Sequence, residues 1–395
     1  MDYNKFINEK IRTVKPSGIR KYFDIANEMG HVISLSVGEP DFQTPWHIRE
    51  AGIDSLQRGK TWYTPNRGFS ELRQEISKYF ERRFHVTYNP DTEILVTVGG
   101  SEAIDGAIRT IISEGDEVLI PEPSFVCYNP LTRLADGVPV TIETKAENGF
   151  RLTAEELESK ITPKTKLLIL PFPNNPTGAV MRKENLEEIA RVVRKHDLFV
   201  LSDEIYGELT YGDTPHVSIA SLEGMAERTI VISGFSKSYA MTGWRLGYAL
   251  GPKEIIEQMT KLHQFAIMSA PTTAQYAAIE GLRNGDGDIE YMRNEYNIRR
   301  RLIVDGFTRM GLTCFEPEGA FYIFPSIKST GLTSDEFCTK LIKARRVAVI
   351  PGTAFGDCGE GYIRVSYSYS LGHIMEALKR IEKFIDNPNI IDTEA

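Results

Sequence analysis

Five short stretches of this chain carry polar residues directly after apolar runs. ILVTV (94–98) leads into Gly99-Gly100-Ser101-Glu102, and EVLI (117–120) into PEPSFVCY, which holds Phe125. KLLILPF (166–172) leads into Pro173-Asn174-Asn175-Pro176-Thr177-Gly178. LFVLS (198–202) leads into Asp203-Glu204-Ile205-Tyr206, and TIVIS (229–233) into Gly234-Phe235-Ser236-Lys237. An amine, a carboxylate, a carboxamide, a phenol and a glycine-rich helix start are therefore candidates for one site. A lysine amine can attack a carbonyl, and free N–H groups at a helix start suit a phosphate.

Each stretch has a plainer reading. GGSEA could be only a tight strand-to-helix turn, and it lacks both GxGxxG and GxxxxGK[ST], so a nicotinamide or ATP site has no support. Asp203 could be a helix cap, Lys237 a surface lysine and Phe125 a core ring. Asn175-Pro176 could be a turn, and its peptide bond could be cis. The shared placement of all five after apolar runs favours a site.

The elements that would position them follow from periodicity. The five runs, with VTIET (140–144), are strand-length and continuously apolar, and amphipathic segments separate them. That alternation predicts a largely parallel sheet covered on both faces, with ligands at the strands' carboxyl ends. NLEEIARVVRKHD (185–197) is one covering helix, with Leu186, Ile189, Ala190 and Val193 on a stripe. Residues 1–30 read as partly helical, broken at Pro16-Ser17-Gly18, and 32–42 as a short strand entering a turn. Helical patterns between 48 and 83 flank a turn. After 285 the pattern changes: a long helix (288–310), strands around GAFYIF, RVAVIPG and YIRVSYS, and a closing helix (371–385). The expected division is 1–47 as part of a small domain, 48–287 as a large domain and 288–395 as a small α+β domain.

Composition narrows the function. Of 395 residues, 41% are hydrophobic and 25% charged, the balance of a folded globular protein rather than a disordered chain. A formal charge of -8 argues against nucleic-acid binding. No apolar stretch is long enough for a signal sequence or a membrane span. The four cysteines form no CxxC pair and the seven histidines no HExxH, so neither disulfides nor a metal site is expected. The expected location is the cytoplasm.

The motifs GEPDF (38–42), YTPNRG (63–68), GGSEA (99–103), PNNPTG (173–178), SDEIY (202–206), SGFSKSYAMTGWRLGY (233–248), GAFY (319–322) and RVSYS (364–368) run nearly end to end. In order and spacing this set resembles the class I, fold-type I, pyridoxal-phosphate-dependent aminotransferases, in particular the aspartate, aromatic and broad-specificity subgroup. The resemblance implies an α/β fold with a mainly parallel seven-stranded sheet in the large domain, pyridoxal 5′-phosphate as cofactor, and ping-pong transamination between an amino acid and a 2-oxo acid, with 2-oxoglutarate as the expected acceptor.

It also implies roles. Lys237 matches the Schiff-base lysine and Asp203 the carboxylate on the pyridine nitrogen. Tyr206 and Asn175 match the partners of the phenolic oxygen, and Phe125 the stacked ring. The phosphate falls to the backbone of Gly100, Ser101 and Glu102, to Ser236 and to Arg245. Gly234 departs from the many relatives with serine there. Tyr63 matches a tyrosine that reaches the neighbouring site of a homodimer. Arg364 matches the partner of the substrate carboxylate, aided by Asn175 and the Gly38 backbone, and Ile19 and Arg20 belong to a lid that closes with the GAFY region.

Substrate choice turns on position 101. Some aspartate-preferring relatives carry lysine where this chain has Ser101. Without that cation a side-chain carboxylate is poorly served. Tyr63, Phe125, Tyr128, Phe321 and Tyr322 could form apolar walls, so aromatic or broad hydrophobic donors are expected alongside glutamate. Two other readings share these residues: a carbon–sulfur β-lyase with the same cofactor, and a non-catalytic ligand sensor. The sensor reading lacks a recognisable DNA-binding segment.

Overall fold

The protein is described from a computed structural model, which covers residues 1–212 and 215–387. A short strand, β1 (Ile33–Ser34), precedes the main sheet. That sheet comprises β2 (Ile94–Thr97), β3 (Glu117–Glu122), β4 (Val138–Glu143), β5 (Thr165–Leu170), β6 (Phe199–Asp203), β7 (Thr229–Gly234) and β8 (Gly247–Leu250). Its strand order is β2-β8-β7-β6-β5-β3-β4. β8 alone runs antiparallel to its neighbours β2 and β7; the other pairings are parallel.

Alternation across the sheet explains the continuous apolar runs. In β5, Leu167 and Ile169 face one layer, with Ile104, Ala107 and Ile108 of the helix Gly99–Ile111. Leu168 and Leu170 face the other, with Leu186, Ile189 and Val193 of the helix Lys183–Lys195. Both faces are dry, so both sets of side chains are apolar. The predicted stripe is the buried one.

The remaining elements form a second layer system. Helices Asp286–Arg309, Ser334–Arg345 and Leu371–Asp386 pack around β9 (Tyr322–Ile323), β10 (Val347–Ala348), β11 (Ile350–Pro351) and β12 (Ile363–Ser366). β11, β12 and β9 form an antiparallel sheet. β1 pairs in parallel with β10, and the Ser366 amide donates to the Leu35 carbonyl at 2.9 Å. The chain's start is thereby stitched to its last third. Among the described residues no helix is long and apolar enough to cross a membrane.

Most elements agree with the sequence reading to within about two residues, the usual uncertainty of helix and strand ends. β8 is the exception. Gly247-Tyr248-Ala249-Leu250 is only four residues long and opens with glycine, a weak strand signal. The cis bonds lie at Glu122–Pro123 and Phe172–Pro173, so Asn175–Pro176 is trans, contrary to the alternative raised above.

Candidate active site

The carboxyl ends of β5, β6 and β7 open into a cleft of about 330 Å³, shared with Val37, Gly38 and Glu39 and with Arg364 from β12. Ile19, Gly100, Ser101, Phe125, Asn175, Asp203, Tyr206, Ser236, Lys237 and Arg245 line it.

Asp203 closes β6 and is 7% exposed. Its Oδ1 accepts from the Ile205 amide at 3.2 Å and its Oδ2 from the Tyr128 hydroxyl at 2.7 Å. Burial pushes its carboxyl up to about 6; the Tyr128 bond and the Ile205 amide pull the other way. Each oxygen has one protein donor, so each retains a lone pair for a further one.

Lys237 follows β7. Its Nζ donates to the Gly38 carbonyl at 2.5 Å and lies 5.8 Å from the Tyr206 ring and 5.7 Å from the Phe321 ring. Burial brings the amine down to about 8, helped by Arg364 and Arg245 and opposed by Glu39 and Asp203. Near neutral pH about a tenth of such an amine is the neutral, nucleophilic form, far more than for a lysine at its ordinary value.

The backbone crowds tightly beside it. A Cβ on Gly247 would lie 2.6 Å from the Gly100 nitrogen, and one on Gly234 would lie 2.9 Å from the Gly247 Cα. The helix Gly99–Ile111, β8 and β7 can meet this closely only through glycines. That is a steric reason for glycine rather than serine at 234. The arrangement brings the helix start into the cleft, where Gly100 and Ser101 line it.

Glu102 does not line the cleft. Its Oε1 meets His263 Nδ1 at 2.6 Å and its other oxygen accepts from the Val98 amide, so its side chain caps its own helix. Arg245 stands beside the helix start, with Nη1 donating to the Thr242 carbonyl at 3.0 Å. A Cβ on Gly99, whose φ is 77°, would come within 2.6 Å of the Arg245 guanidinium.

Arg364 is 2% exposed and lies between the rings of Tyr322 and Phe355, at 4.6 and 4.8 Å. Nη1 donates to Asn175 Oδ1 at 3.0 Å and Nη2 to the Ser36 carbonyl. Its Nε is buried without a partner among the described residues. Burial lowers its pKa. A buried guanidinium held by neutral groups suits an anionic ligand.

Sequence reasoning misses two roles. Tyr128 and Tyr322 read as apolar walls, yet both hydroxyls are engaged. Tyr128 holds Asp203, and Tyr322 meets the Tyr206 hydroxyl at 2.8 Å. Nothing in their spacing distinguishes them from core aromatics. Phe321 and Tyr63 do not line the cleft: Phe321 is buried beside Tyr206, whereas Tyr63 is 78% exposed. Glu39, which accepts from Thr242 Oγ1 at 2.6 Å, has no sequence signal of its own beyond its place in GEPDF.

Comparison with known proteins bears directly on this geometry. The family model "Aminotransferase class I and II" matches residues 30–381. The chain belongs to this aminotransferase family. A putative aminotransferase of Bacillus subtilis is 53% identical over 96% of this chain and 98% of its own. An aspartate aminotransferase of Pyrococcus abyssi is 47% identical, over 96% and 98% respectively. The solved aromatic aminotransferase of Pyrococcus horikoshii superposes with a TM-score of 0.89 at 45% identity, covering 93% of this chain and 98% of that one.

The aminotransferase is a class I enzyme of fold-type I that uses pyridoxal 5′-phosphate. Its residues fit that group. An amine whose charge burial disfavours stands near a buried carboxylate with spare acceptor capacity, and a glycine-cleared helix start with Arg245 offers donors to a phosphate. The substrates of the aminotransferase are amino acids and 2-oxo acids.

Proposed function

We propose that this aminotransferase takes its amino group from aromatic or broadly hydrophobic L-amino acids and from glutamate, with 2-oxoglutarate as acceptor. The observation that carries this reading is the set of cations lining the cleft, which are Lys237, Arg245 and Arg364. Each has a task at the cofactor or at the substrate's α-carboxylate. None remains for the short side-chain carboxylate of aspartate, and Glu39 at the rim would repel it. Glutamate enters the reading as the amino acid formed when 2-oxoglutarate accepts the amino group. Ile19, Val37, Phe125 and Tyr322 suit apolar groups.

When bound, pyridoxal 5′-phosphate supplies an aldehyde for the lysine and an electron sink for the substrate's α-carbon. Lys237 would hold the aldehyde carbon and later carry the proton to and from Cα. Asp203 would keep a proton on the pyridine nitrogen. Tyr206 and the Asn175 carboxamide would donate to the phenolic oxygen, and Phe125 would pack on the ring face. The amides of Gly100, Ser101 and Glu102, the Ser236 hydroxyl and the Arg245 fork would bind phosphate. Arg364, with Asn175 and the Gly38 backbone, would fix the substrate carboxylate and thereby align the Cα–H bond.

A homodimer in which Tyr63 reaches the neighbouring phosphate completes the reading. Its support is an apolar face: Trp62 is 58% exposed, Phe265 88% and Met268 45%. Thr272 Oγ1 donates to the Trp62 carbonyl and Asn66 Nδ2 to the Met268 carbonyl, which ties the two segments together. Exposed apolar surface of this kind marks an interface. The pairing of β1 with β10 supports 1–47 and 288–395 moving together over 48–287, with Ile19 and Arg20 in the lid. Residues 388–395 lie outside the described residues. The four free thiols fit the reducing cytoplasm.

The deciding experiment measures kcat/KM for phenylalanine, tyrosine, aspartate and alanine with 2-oxoglutarate, read as glutamate formed. Preference for phenylalanine or tyrosine over aspartate is expected. A large advantage for aspartate overturns the reading.

A further inference from the structure

Behind Asp203, on the opposite face of the strand end, lies a second buried carboxylate. Glu204 is 3% exposed. Its amide donates to the Ile232 carbonyl at 2.8 Å, so the ladder with β7 runs one residue past β6 and the side chains of 203 and 204 point to opposite faces. Three donors surround the Glu204 carboxylate. Oε1 accepts from Ser202 Oγ and Ser218 Oγ, both at 2.8 Å, and Oε2 meets His216 Nε2 at 2.9 Å.

Two consecutive buried carboxylates repel each other unless one is neutralised. Ser202 and Ser218 supply hydrogen bonds but no charge. His216 is the one titratable group bonded to Glu204 among the described residues, and its side chain is itself buried. We propose that Glu204 and His216 form a positioning pair for Asp203, in which the imidazolium cancels the rear carboxylate so that the strand end's negative charge stays on the cleft side. The inference rests on the role proposed above for Asp203.

The surroundings of His216 favour a tunable pair over a sealed one. The imidazole packs edge-on against the Phe84 ring at 5.6 Å and against the backbone at Gly207. It also borders a polar cavity of about 420 Å³ lined by Arg82, Arg83, Glu208 and Arg293. Arg83 is bonded to Glu208 and Arg82 to Asp286. Tyr88 and Tyr248 lie within electrostatic range of Glu204, and burial keeps both as neutral phenols. The cavity gives the imidazole a route for proton exchange. Glu204 in turn opposes ionisation of Asp203, so loss of the imidazolium would tend to return a proton to Asp203.

Coupling between two sites is reciprocal, which supplies a test independent of turnover. The titration of His216 is followed by NMR in the apoenzyme, for wild type, Asp203→Asn and Glu204→Gln. The midpoint is expected to fall by about half a pH unit or more in Asp203→Asn, and further in Glu204→Gln. An unchanged midpoint in Asp203→Asn overturns the proposal, and that measurement needs no variant of His216. In the holoenzyme, His216→Leu is expected to lower kcat with little change in KM, and the double variant Glu204→Gln/His216→Leu to recover most of it. A purely structural role would leave the double variant as impaired as the single one, which overturns the proposal. If His216 shifts but Asp203→Asn keeps full turnover, the coupling stands and the role given to Asp203 falls.

Discussion

The Tyr128 hydroxyl donates to Asp203 Oδ2 at 2.7 Å, from the first turn of the helix Tyr128–Leu134. The helix that carries this donor also extends the segment holding Phe125, so one local structure serves both the face of the cleft and its anionic floor. The bond lowers the Asp203 pKa against the upward push of burial.

Tyr128→Phe should therefore raise the Asp203 pKa above its present value of about 6. Loss of a donor to a buried charged group costs about 1–3 kcal/mol, which corresponds to roughly a 5- to 160-fold fall in kcat near pH 6. The acidic limb of the kcat–pH profile should move to higher pH, and activity should recover above it. An acidic limb that stays in place would refute the link.

Arg364 is a buried guanidinium with its fork fixed by Asn175 and Ser36. Lysine cannot reproduce a planar fork. Arg364→Lys should lower kcat/KM on the order of 10²–10³-fold for every amino donor, the scale of about 3–5 kcal/mol lost when one partner of a buried ion pair is removed. The cofactor's visible absorbance should survive. A loss confined to one donor would point to side-chain recognition instead.

The fold is readable because its central strands are dry on both faces, which leaves an apolar run and a polar terminus in the sequence. Asp203 and Lys237 can be placed from that alone. The contacts that tune them cannot. Arg364 binds the carbonyl of Ser36, 328 residues away, and Lys237 that of Gly38, 199 residues away. No local periodicity links such positions. Tyr128 and Tyr322 look like core aromatics because their rings are buried, and only their hydroxyls give them away. β8 escapes because its first residue is the glycine required for contact with the helix start. Glu102 sits in the right motif, yet its side chain serves its own helix and His263.

The Lys237 amine titrates at about 8, below the ordinary lysine value, because burial and the positive charges of Arg364 and Arg245 disfavour its protonated form. Only the neutral amine captures an aldehyde. The rate at which apoenzyme takes up added pyridoxal phosphate should rise about tenfold per pH unit up to about pH 8 and then level. An unperturbed lysine would keep rising to roughly pH 10.4. Stopped-flow absorbance distinguishes the two, and Lys237→Ala should show no covalent capture.

Asp203 is held for chemistry at the expense of stability. Its folded pKa of about 6 lies above the ordinary 3.8. Between those values the native state keeps a proton that the unfolded chain has lost, so stability falls as pH rises through that window. Above about pH 6 the deficit is complete, at roughly 3 kcal/mol for a pKa raised by about two. Asp203→Asn keeps the shape and removes the charge. The apoprotein variant should outlast wild type in urea at pH 7.5, and the advantage should vanish near pH 4. Equal denaturation midpoints at pH 7.5 would rule this out.

Ser101 gives the sharpest test of substrate choice. It lines the cleft at the helix start and carries no charge, while the three cations in the lining are Lys237, Arg245 and Arg364. A lysine at 101 would offer a fourth, within the same cleft. Ser101→Lys should raise kcat/KM for aspartate relative to phenylalanine by about tenfold or more, since an unpaired carboxylate in such a site is strongly disfavoured. Ser101→Met supplies similar length without charge and should not. If both variants change the ratio alike, bulk rather than charge governs the choice, and the apolar walls at Phe125 and Tyr322 become the next residues to vary.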